Sequence, residues 1–439
     1  MRLAYLNGAL WALGNGLGST ALIIYLARQL GAAGLAIGVV LAAPQLVGVL
    51  RLASQGLAVR IGGRRLLCVA CFAASAILLA AISQLAEPGQ LNSPAVSLRL
   101  VTSLWCVYHL LEYIGTVLLW AWLGDITVDQ TRGRFIGVRE RYMLVGRVVG
   151  MLAAGGFAWS WAEFGLGAEA WVGYSVPAGL AAAFMLIAVL PLLRMPDVAS
   201  AVRGPPKDLA VPQFFAPLAD QRMRWLLAFG VWFSVANGLT QSAQFLFPIV
   251  VFVLPLLARN TYTSGMRLGQ AALAPAVGKA ADSLGTRRVL IAAQLIVATG
   301  PLFFIAAARV PQTAMLSIPL PWWILAGAWV AWIGYVGLNV GLPNLILKIS
   351  GPDQRASYIA WYFAVTGVVY GASTIAGGAI YSWLDELQPT WHIVSWALTH
   401  HDLLFVGGFV LRIMSVLCLL PLSEAPRLPP SQGGVNGTK

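Results

Sequence analysis

The stretch Gly278-Lys-Ala-Ala-Asp-Ser-Leu-Gly-Thr-Arg-Arg288 is a short polar link between two apolar runs, and a second version of it occurs earlier in the chain. A shift of 223 positions toward the amino terminus places matching residues at Ala58, Gly62, Arg64, Arg65 and Leu67. The same shift relates Arg355 to Arg132, and a shift of 222 relates Asn237 to Asn15. A duplication of about 222 residues therefore covers nearly the whole chain and predicts two similar halves.

The composition of the chain is typical of a protein that crosses a membrane several times. Hydrophobic residues make up 59% of the 439 residues and charged residues only 10%, which is too apolar for a water-soluble domain. Charged or Pro/Gly-rich links divide the chain into runs near the ~20 residues that span a bilayer. We place twelve such runs at about 4–27, 33–54, 66–86, 100–123, 142–162, 170–193, 225–250, 261–278, 289–308, 320–347, 357–382 and 402–422.

These runs predict an all-α polytopic membrane protein with twelve transmembrane helices in two pseudo-symmetric six-helix halves. We expect an amino-terminal half at 1–193, a cytoplasmic connector at 194–224, a carboxyl-terminal half at 225–422 and a disordered cytoplasmic tail at 423–439. The connector is charged and contains five prolines, which suits a link between two bundles. The eighth run is the most polar, and we include it because the repeat requires it.

The repeated link resembles the signature loop of the major facilitator superfamily of secondary transporters, which reads roughly Gly-x-Leu-Ala-Asp-Arg-x-Gly-Arg-Arg. In that family the loop joins the second and third helices and, in a weaker copy, the eighth and ninth. The later copy keeps the glycines, the acid and the basic pair, at Gly278, Asp282, Gly285, Arg287 and Arg288. The earlier copy keeps Gly62, Arg64 and Arg65 but has Val59 in place of the acid.

A second family-like element follows the fourth run, where an acid precedes several basic residues, at Asp125, Arg132, Arg134 and Arg139. The resemblance implies that these loops gate the cytoplasmic side. It also implies that Asp282 packs against the start of the fifth helix, near Arg139 and Arg141, in the outward-facing state. Exposed N–H groups and the helix dipole favour an anion at such a place.

The distribution of positive charge predicts the orientation of the chain in the membrane. The net charge is +12, and on the predicted topology 20 of the 28 Lys and Arg residues lie on one side, four on the other and four inside helices. Loops rich in Lys and Arg stay in the cytoplasm. We therefore expect a multi-pass protein of the cytoplasmic (inner) membrane with both termini cytoplasmic. The basic excess is an orientation signal, and we expect no nucleic-acid partner.

The resemblance implies that substrate binds between the halves near the bilayer midplane, in a cavity lined by helices 1, 4, 7 and 10. Polar residues within the runs are the candidates for that cavity, because lipid offers them no partners. They are Asn15, Ser19, Asn237, Gln241, Gln244, Arg267, Tyr335 and Asn339. A hydrogen-bonded amide in the helix core is the alternative for each asparagine and glutamine. Arg267 is the candidate contact for an anionic substrate group, whereas Arg412 lies on a helix that the resemblance makes peripheral and structural.

Glu112 and His109 are the candidates for proton coupling. They lie near the centre of the fourth run, three residues apart, so that their side chains can meet on one helix face. A carboxyl group at that depth should favour its neutral form, and a neighbouring imidazole can share its proton. The alternative is a buried structural Glu112 paired with Arg147 of the fifth helix.

We therefore hypothesise a proton-coupled secondary transporter, a symporter of a small solute, in a bacterial membrane. A non-transporting membrane sensor or partner scaffold with the same fold is the alternative, favoured by the missing acid at Val59. The chain contains no His-Glu-x-x-His, phosphate loop or nucleophile elbow, so we do not expect an enzyme. We expect a monomer surrounded by lipid, with a small-molecule substrate and protons as partners and with no cofactor. We expect no metal, and we interpret His400 and His401 as part of a solvated external loop.

Overall fold

The structure, a computed structural model, describes residues 1–50, 64–91, 93–127, 129–164, 169–196, 215, 217–350, 355–387, 391–393 and 396–422. Over these residues the chain forms twelve helical units, three of them broken into two segments. They are α1 (Arg2–Leu17 and Thr20–Gln29), α2 (Gly34–Leu46), α3 (Arg64–Leu85), α4 (Pro94–Ile126), α5 (Asp129–Glu163), α6 (Val172–Leu193), α7 (Gln221–Val251), α8 (Leu256–Ser283), α9 (Thr286–Ala298 and Gly300–Ala307), α10 (Leu320–Trp332 and Tyr335–Ile349), α11 (Arg355–Leu387) and α12 (His400–Ser415).

Most of these helices are suited to a bilayer. Within the described residues, nine units are long and apolar enough to cross a membrane, by length and composition. The helix α2 continues as a 3₁₀ turn to Leu50 and forms a shorter apolar unit. The two remaining units, α7 and α8, are long helices outside that group of nine. The predicted all-α polytopic fold of twelve helices is confirmed.

The packing of the helices repeats between the first six and the last six units. The helix α1 packs against α5 and α6, as α7 packs against α11 and α12. The helix α3 packs against α4 and α6, as α9 packs against α10 and α12. The two halves meet where α2 packs on α11 and where α8 packs on α5. The repeat relates α2 to α8 and α5 to α11, so these two contacts are equivalent. The duplicated sequence therefore builds a duplicated bundle.

Close helix packing inside the first half depends on a missing side chain. In α5, Gly150 lies directly against the backbone of α1, where a Cβ atom would collide with the carbonyl oxygen of Leu13. In the same helix, Gly156 has open space around it. Small residues let membrane helices approach to backbone contact, where van der Waals packing stabilises the pair.

The two ends of the bundle differ, and we name them by the chain. The terminal face is the end at which α1 begins and α12 ends, and it also carries the turn between α8 and α9. The distal face is the opposite end, where α1 meets α2 and α7 meets α8.

The links at the terminal face are shorter than the sequence suggested. The helix α8 continues through Gly278 to Ser283, so the predicted ten-residue link is mostly helical. The turn itself is formed by Leu284 and Gly285, and Gly285 has φ +94°, which a residue with a side chain rarely adopts. Helix-forming Lys279, Ala280 and Ala281 favour the extension, because no glycine or proline lies between Gly278 and Gly285. Similarly, α4 ends at Ile126 and α5 begins at Asp129.

The distal links also differ from the expectation of plain loops. Two short antiparallel hairpins lie there, Ala314–Met315 with Ile318–Pro319 and Trp391–Ile393 with Trp396–Leu398. The solvated loop predicted around His400 and His401 is wrong, because α12 begins at His400 and both histidines are buried. A capping box between Thr399 and Asp402 starts that helix early.

Candidate functional site

The first half contains a polar cluster around Glu112 of α4. Asn15 of α1 donates a 2.8 Å hydrogen bond from its amide to Oε1 of Glu112, and Trp11 donates to the same oxygen at 3.4 Å. His109 Nδ1 lies 3.4 Å from Oε2 of Glu112. The side chains of His109 and Glu112 are 11% and 19% exposed, so the rest of the protein does not cover the pair completely. The predicted meeting of His109 with Glu112 is thus present, and two residues of α1 join it.

The surroundings of His109 constrain its ring. Trp105 contacts the imidazole edge-on at 4.4 Å between centroids, and Tyr108 does so at 4.9 Å. The second ring nitrogen, Nε2, has no hydrogen-bond partner among the described residues. One face of the carboxylate is therefore held by fixed donors while the imidazole beside it retains a free nitrogen. This arrangement can hold a proton on either group.

Arg147 is not the partner of Glu112. The ion-pair partner of Glu112 among the described residues is His109, and neither a hydrogen bond nor an ion pair joins Glu112 to Arg147. The alternative of a structural Glu112 paired with Arg147 therefore named the wrong partner. Asn15 and Trp11 supply the hydrogen bonds that a buried carboxylate needs.

Ser19 has a local structural role rather than a place beside Asn15. The first segment of α1 ends at Leu17, and Ser19 caps the second segment by accepting a hydrogen bond from the N–H of Leu22 at 3.4 Å. The expected single helix is broken there, so Asn15 and Ser19 do not lie one turn apart on one helix face. Serine is a preferred residue at such a cap because its hydroxyl satisfies an N–H of the first turn.

The second half contains a cluster around Arg412 of α12. The guanidinium donates to Oδ1 of Asn237 at 2.9 Å and to Oγ1 of Thr240 at 3.0 Å. Tyr335 of α10 donates to the same Oδ1 at 3.0 Å, and Gln244 donates to Thr240 at 3.1 Å. Arg412 is 1% exposed. Helices α7, α10 and α12 are thus joined by one hydrogen-bonded network.

These contacts bear on the residues proposed to line a cavity. Asn237 and Gln244 are buried inside the second half, which corresponds to the alternative of hydrogen-bonded core amides. Gln241 and Tyr335 are half-buried, and Asn339 is exposed. The sequence missed the roles of Arg412 and Thr240. Thr240 lies three residues after Asn237 and four before Gln244, and that helical spacing was the available signal.

The gate residues divide into described and undescribed ones. Gly62 lies outside the described residues, and the side chains of Arg64 and Arg132 also lie outside them. Arg65 of α3 donates to the carbonyl oxygen of Leu193 at the end of α6. At the other link, Asp282 and Arg288 are exposed and Arg287 is half-buried.

Arg139 does not lie in a loop. It is 3% exposed within α5, where its guanidinium lies over the ring of Trp120 at 5.0 Å and donates to the sulfur of Met143 at 2.9 Å. Its stem packs against Gly8 of α1. In this conformation Arg139 stabilises the first half from within.

The described hydrogen bonds between the halves lie on the distal side, although α2 packs on α11 along most of its length. Asn260 of α8 donates a 2.7 Å hydrogen bond to the carbonyl oxygen of Met151 in α5, and the N–H of Leu35 donates to Ser382 at 3.2 Å. The hydroxyl of Tyr25 donates to the carbonyl oxygen of Leu254. These are the hydrogen bonds between the halves within the described part of the chain. We call this set of contacts the distal seal.

The seal between α5 and α8 ends partway through the bundle. On one face of α8, Asn260 and Ser264 are buried, whereas Arg267 and Ala271 on the same face are exposed. The helices therefore separate below the distal seal, and the space between them opens toward the terminal face. Arg267 lies at that opening.

The predicted runs 225–250 and 261–278 left Arg259 in the external link between them, and its placement in a link is wrong. It lies in the first turn of α8 and is 5% exposed, with its guanidinium 3.6 Å from the centroid of Phe245. The longer α8 explains the change, since it begins at Leu256.

The described residues contain no group of three or more His, Cys, Asp or Glu side chains arranged to hold a metal ion. Cys68 and Cys71 are buried in α3 as free cysteines.

No family model matches the chain, and no curated protein matches it in sequence. Solved structures match its fold. A mutant of the nucleoside transporter NupG superposes with a TM-score of 0.71 at 14% identity, over 96% of this chain and 99% of that chain. A D-xylose-proton symporter gives 0.66 at 12%, over 96% of each chain.

A bacterial homologue of the iron transporter ferroportin, in an inward-facing state, gives a TM-score of 0.67 at 10% identity, over 96% of this chain and 98% of that chain. These superpositions confirm the predicted architecture. The chain shares the fold of these solved membrane transporters.

Proposed function

We propose that this chain is a secondary active transporter that moves a small solute across a bacterial inner membrane by alternating access. The observation that carries the proposal is the distal seal with polar clusters beneath it. The described hydrogen bonds between the halves lie on the distal side of the bundle, and α5 and α8 part below them. A transporter of this kind closes one side while the other opens. A sensor or scaffold would not need polar groups beneath a one-sided seal.

The proposed orientation places the terminal face in the cytoplasm. This orientation is inferred from the 20 Lys and Arg residues that lie on that side of the predicted topology. The chain then divides into an amino-terminal half at 1–193, a cytoplasmic connector at 194–224, a carboxyl-terminal half at 225–422 and a cytoplasmic tail at 423–439. With the distal side external, the conformation is inward-facing. The ferroportin homologue with the similar fold is described as inward-facing too.

The proposed coupling ion is the proton, carried by Glu112 with His109. Glu112 accepts hydrogen bonds from Asn15 and Trp11 and contacts an imidazole that has an unpartnered nitrogen. An ionisable residue at this depth is costly unless it has partners or a task. One of the solved structures with a similar fold is a proton symporter, which is consistent with the proposal. We propose that the chain acts as a monomer, without a cofactor.

The test is solute accumulation in proteoliposomes that contain the purified chain. We expect at least one solute from a broad radiolabelled panel to accumulate when an inward pH gradient is imposed and to equilibrate without accumulating when the gradient is collapsed. Empty liposomes are the control for leakage. A chain that binds solutes or proteins but moves no solute across the bilayer would instead support the sensor or scaffold. Accumulation that does not depend on the pH gradient would contradict proton coupling but would still support a transporter.

A further inference from the structure

Two arginines from opposite halves approach each other directly below the distal seal. The antiparallel helices α5 and α8 meet at Gly155 with Leu257 and, one turn further in, at Met151 with Asn260. Arg147 lies four residues before Met151 and therefore on the same face of α5. Arg267 lies seven residues after Asn260, two turns along the same face of α8. The register of the seal thus directs both side chains into the space between the two helices.

Neither cation is neutralised by a residue that the structure describes. Among the described residues, Arg147 and Arg267 make no hydrogen bond and no ion pair, although their charges are close enough to interact with each other. Arg147 is half-buried and Arg267 is exposed to the space between the halves. Two like charges inside a membrane protein repel, and the surrounding lipid and protein screen them poorly. A bound anion would remove this cost.

A third group completes the site. Ser264 of α8 lies between Asn260 and Arg267 on the same face and is 4% exposed. Its hydroxyl oxygen is buried and has no hydrogen-bond partner among the described residues. Because Met151 lies opposite Asn260 and the two helices are antiparallel, Ser264 lies at the same height in the bundle as Arg147. A buried hydroxyl without a partner is uncommon, and an oxyanion between the arginines would supply one.

We infer that Arg147, Ser264 and Arg267 bind the oxyanion group, a carboxylate or a phosphate, of a small anionic solute between the halves. This inference rests on the proposed transport function and names its substrate class. Guanidinium groups recognise carboxylate and phosphate through paired N–H donors, and a serine hydroxyl adds one more donor. The set has one guanidinium from each half, so the anion bridges the two halves.

The same geometry couples binding to movement. The two guanidinium groups converge when the distal seal is closed, and they separate when α5 and α8 part at the distal face. An anion therefore binds the closed form more tightly than the open form. A ligand shifts a conformational equilibrium only through such a difference in affinity. Without an anion, repulsion between the arginines favours opening of the distal side, and with an anion the seal closes over it.

The test is the thermal stability of the purified full-length chain in detergent, followed by tryptophan fluorescence at constant ionic strength. Sodium chloride is compared with sodium phosphate and with sodium succinate, which distinguishes phosphate from carboxylate recognition. We expect a saturable rise in the unfolding midpoint with at least one of the two oxyanions, because a ligand that binds the folded state stabilises it. In Arg147→Gln and Arg267→Gln the apparent affinity should fall at least roughly tenfold.

The Gln variants have a second expected property. In chloride alone they should unfold at a higher temperature than the unaltered chain, because the repulsion is gone. Arg99→Gln, which removes an exposed charge from α4, should resemble the unaltered chain in both salts. If a Gln variant fails to fold, Arg267→Lys serves instead: it keeps the repulsion and should weaken oxyanion binding only.

Two results would overturn the inference. The first is an unaltered chain whose midpoint is the same in chloride, phosphate and succinate. The second is an undiminished oxyanion response in the Arg147→Gln and Arg267→Gln variants. Because the measurement needs no transport, it separates the two ideas. A chain that accumulates a neutral solute and ignores oxyanions would retain the proposed function and lose this site. A chain that binds oxyanions but moves nothing would do the reverse.

Discussion

Gly34 of α2 and Gly378 of α11 meet backbone to backbone at the distal end of the two halves, where a Cβ atom on Gly34 would lie 2.5 Å from the carbonyl oxygen of Gly378. The N–H of Leu35 donates to Ser382 beside this contact. The two helices can approach this closely only because neither residue has a side chain. The glycine pair, which lies beside the Leu35–Ser382 hydrogen bond of the distal seal, is therefore sensitive to added volume.

Gly378→Ala should shift the chain toward a distal-open conformation. Overpacking of a tight contact costs about 1–3 kcal/mol, which is roughly a 5- to 150-fold change in the conformational equilibrium. Distances between spin labels at Gln90 and Leu316, in the distal loops of the two halves, should gain a longer population. The labels are introduced as cysteines after the four native cysteines have been replaced. Gly407→Ala is the matched control, since a Cβ atom on Gly407 has nothing within 4 Å. An unchanged distance distribution in Gly378→Ala would contradict the role of this contact.

Glu112→Gln should abolish gradient-driven accumulation while solute exchange continues. The amide still accepts hydrogen bonds from Asn15 and Trp11 but cannot bind and release a proton. The ratio of internal to external solute at steady state should fall at least about tenfold. Such a fall corresponds to the loss of about 1.4 kcal/mol of driving free energy. His109→Asn should displace the pH dependence of uptake, because it removes the imidazole that lies 3.4 Å from the carboxylate of Glu112.

Glu163→Gln, at the exposed distal end of α5, is the control for loss of a carboxylate. If Glu112→Gln still concentrates solute with the normal response to pH, Glu112 is a structural acceptor for Asn15 and Trp11.

Asp282→Asn should weaken closure of the terminal face. The carboxylate is exposed. Because α5 begins at Asp129, Arg139 and Arg141 no longer mark a helix start, and we expect Asp282 to pair with the exposed Arg141 when the terminal face closes. An exposed ion pair contributes about 0.2–1 kcal/mol, so a cysteine placed at Ala271 should react up to roughly fivefold faster in the variant. Ser283→Ala, the exposed neighbour, should leave the rate unchanged. Equal labelling rates in the Asp282→Asn variant and the parent would show that Asp282 does not hold the terminal face closed.

Arg412→Met should be tolerated better than Arg412→Ala. In the methionine variant Asn237 still accepts from Tyr335 and Thr240 still accepts from Gln244, so no buried acceptor is left alone. Methionine also fills most of the space, whereas alanine leaves a cavity and should cost about 2–5 kcal/mol of unfolding free energy. Denaturation in detergent measures both. Equal loss in the two variants would mean that the charge itself stabilises the second half.

Reporter fusions test the orientation. Fusions after Pro88 and after Gly167 should behave as external, and fusions within 194–224 should behave as cytoplasmic, because basic loops remain inside. If a connector fusion behaves as external, the predicted membrane orientation is wrong and the conformation described here is outward-facing.

The sequence by itself determined the number of helices, the duplication and the bilayer setting. These features depend on local composition: a run near 20 apolar residues becomes a spanning helix because its backbone must satisfy its own hydrogen bonds in lipid. The pairing of His109 with Glu112 was also predictable, since residues three apart share a helix face. Helix ends were predicted less well, as the extension of α8 to Ser283 illustrates, because chain-breaking residues mark ends more reliably than polarity does.

Only the tertiary structure decided which helices touch and where they separate. Arg412 is 175 positions from Asn237, and Asn260 is 109 from Met151, so no spacing in the sequence relates them. Side-chain volume decides such contacts: glycines at Gly34 and Gly378 allow one face to close. The approach of Arg147 to Arg267 arises in the same way, because the packing of α5 on α8 fixes a register that neither helix specifies alone.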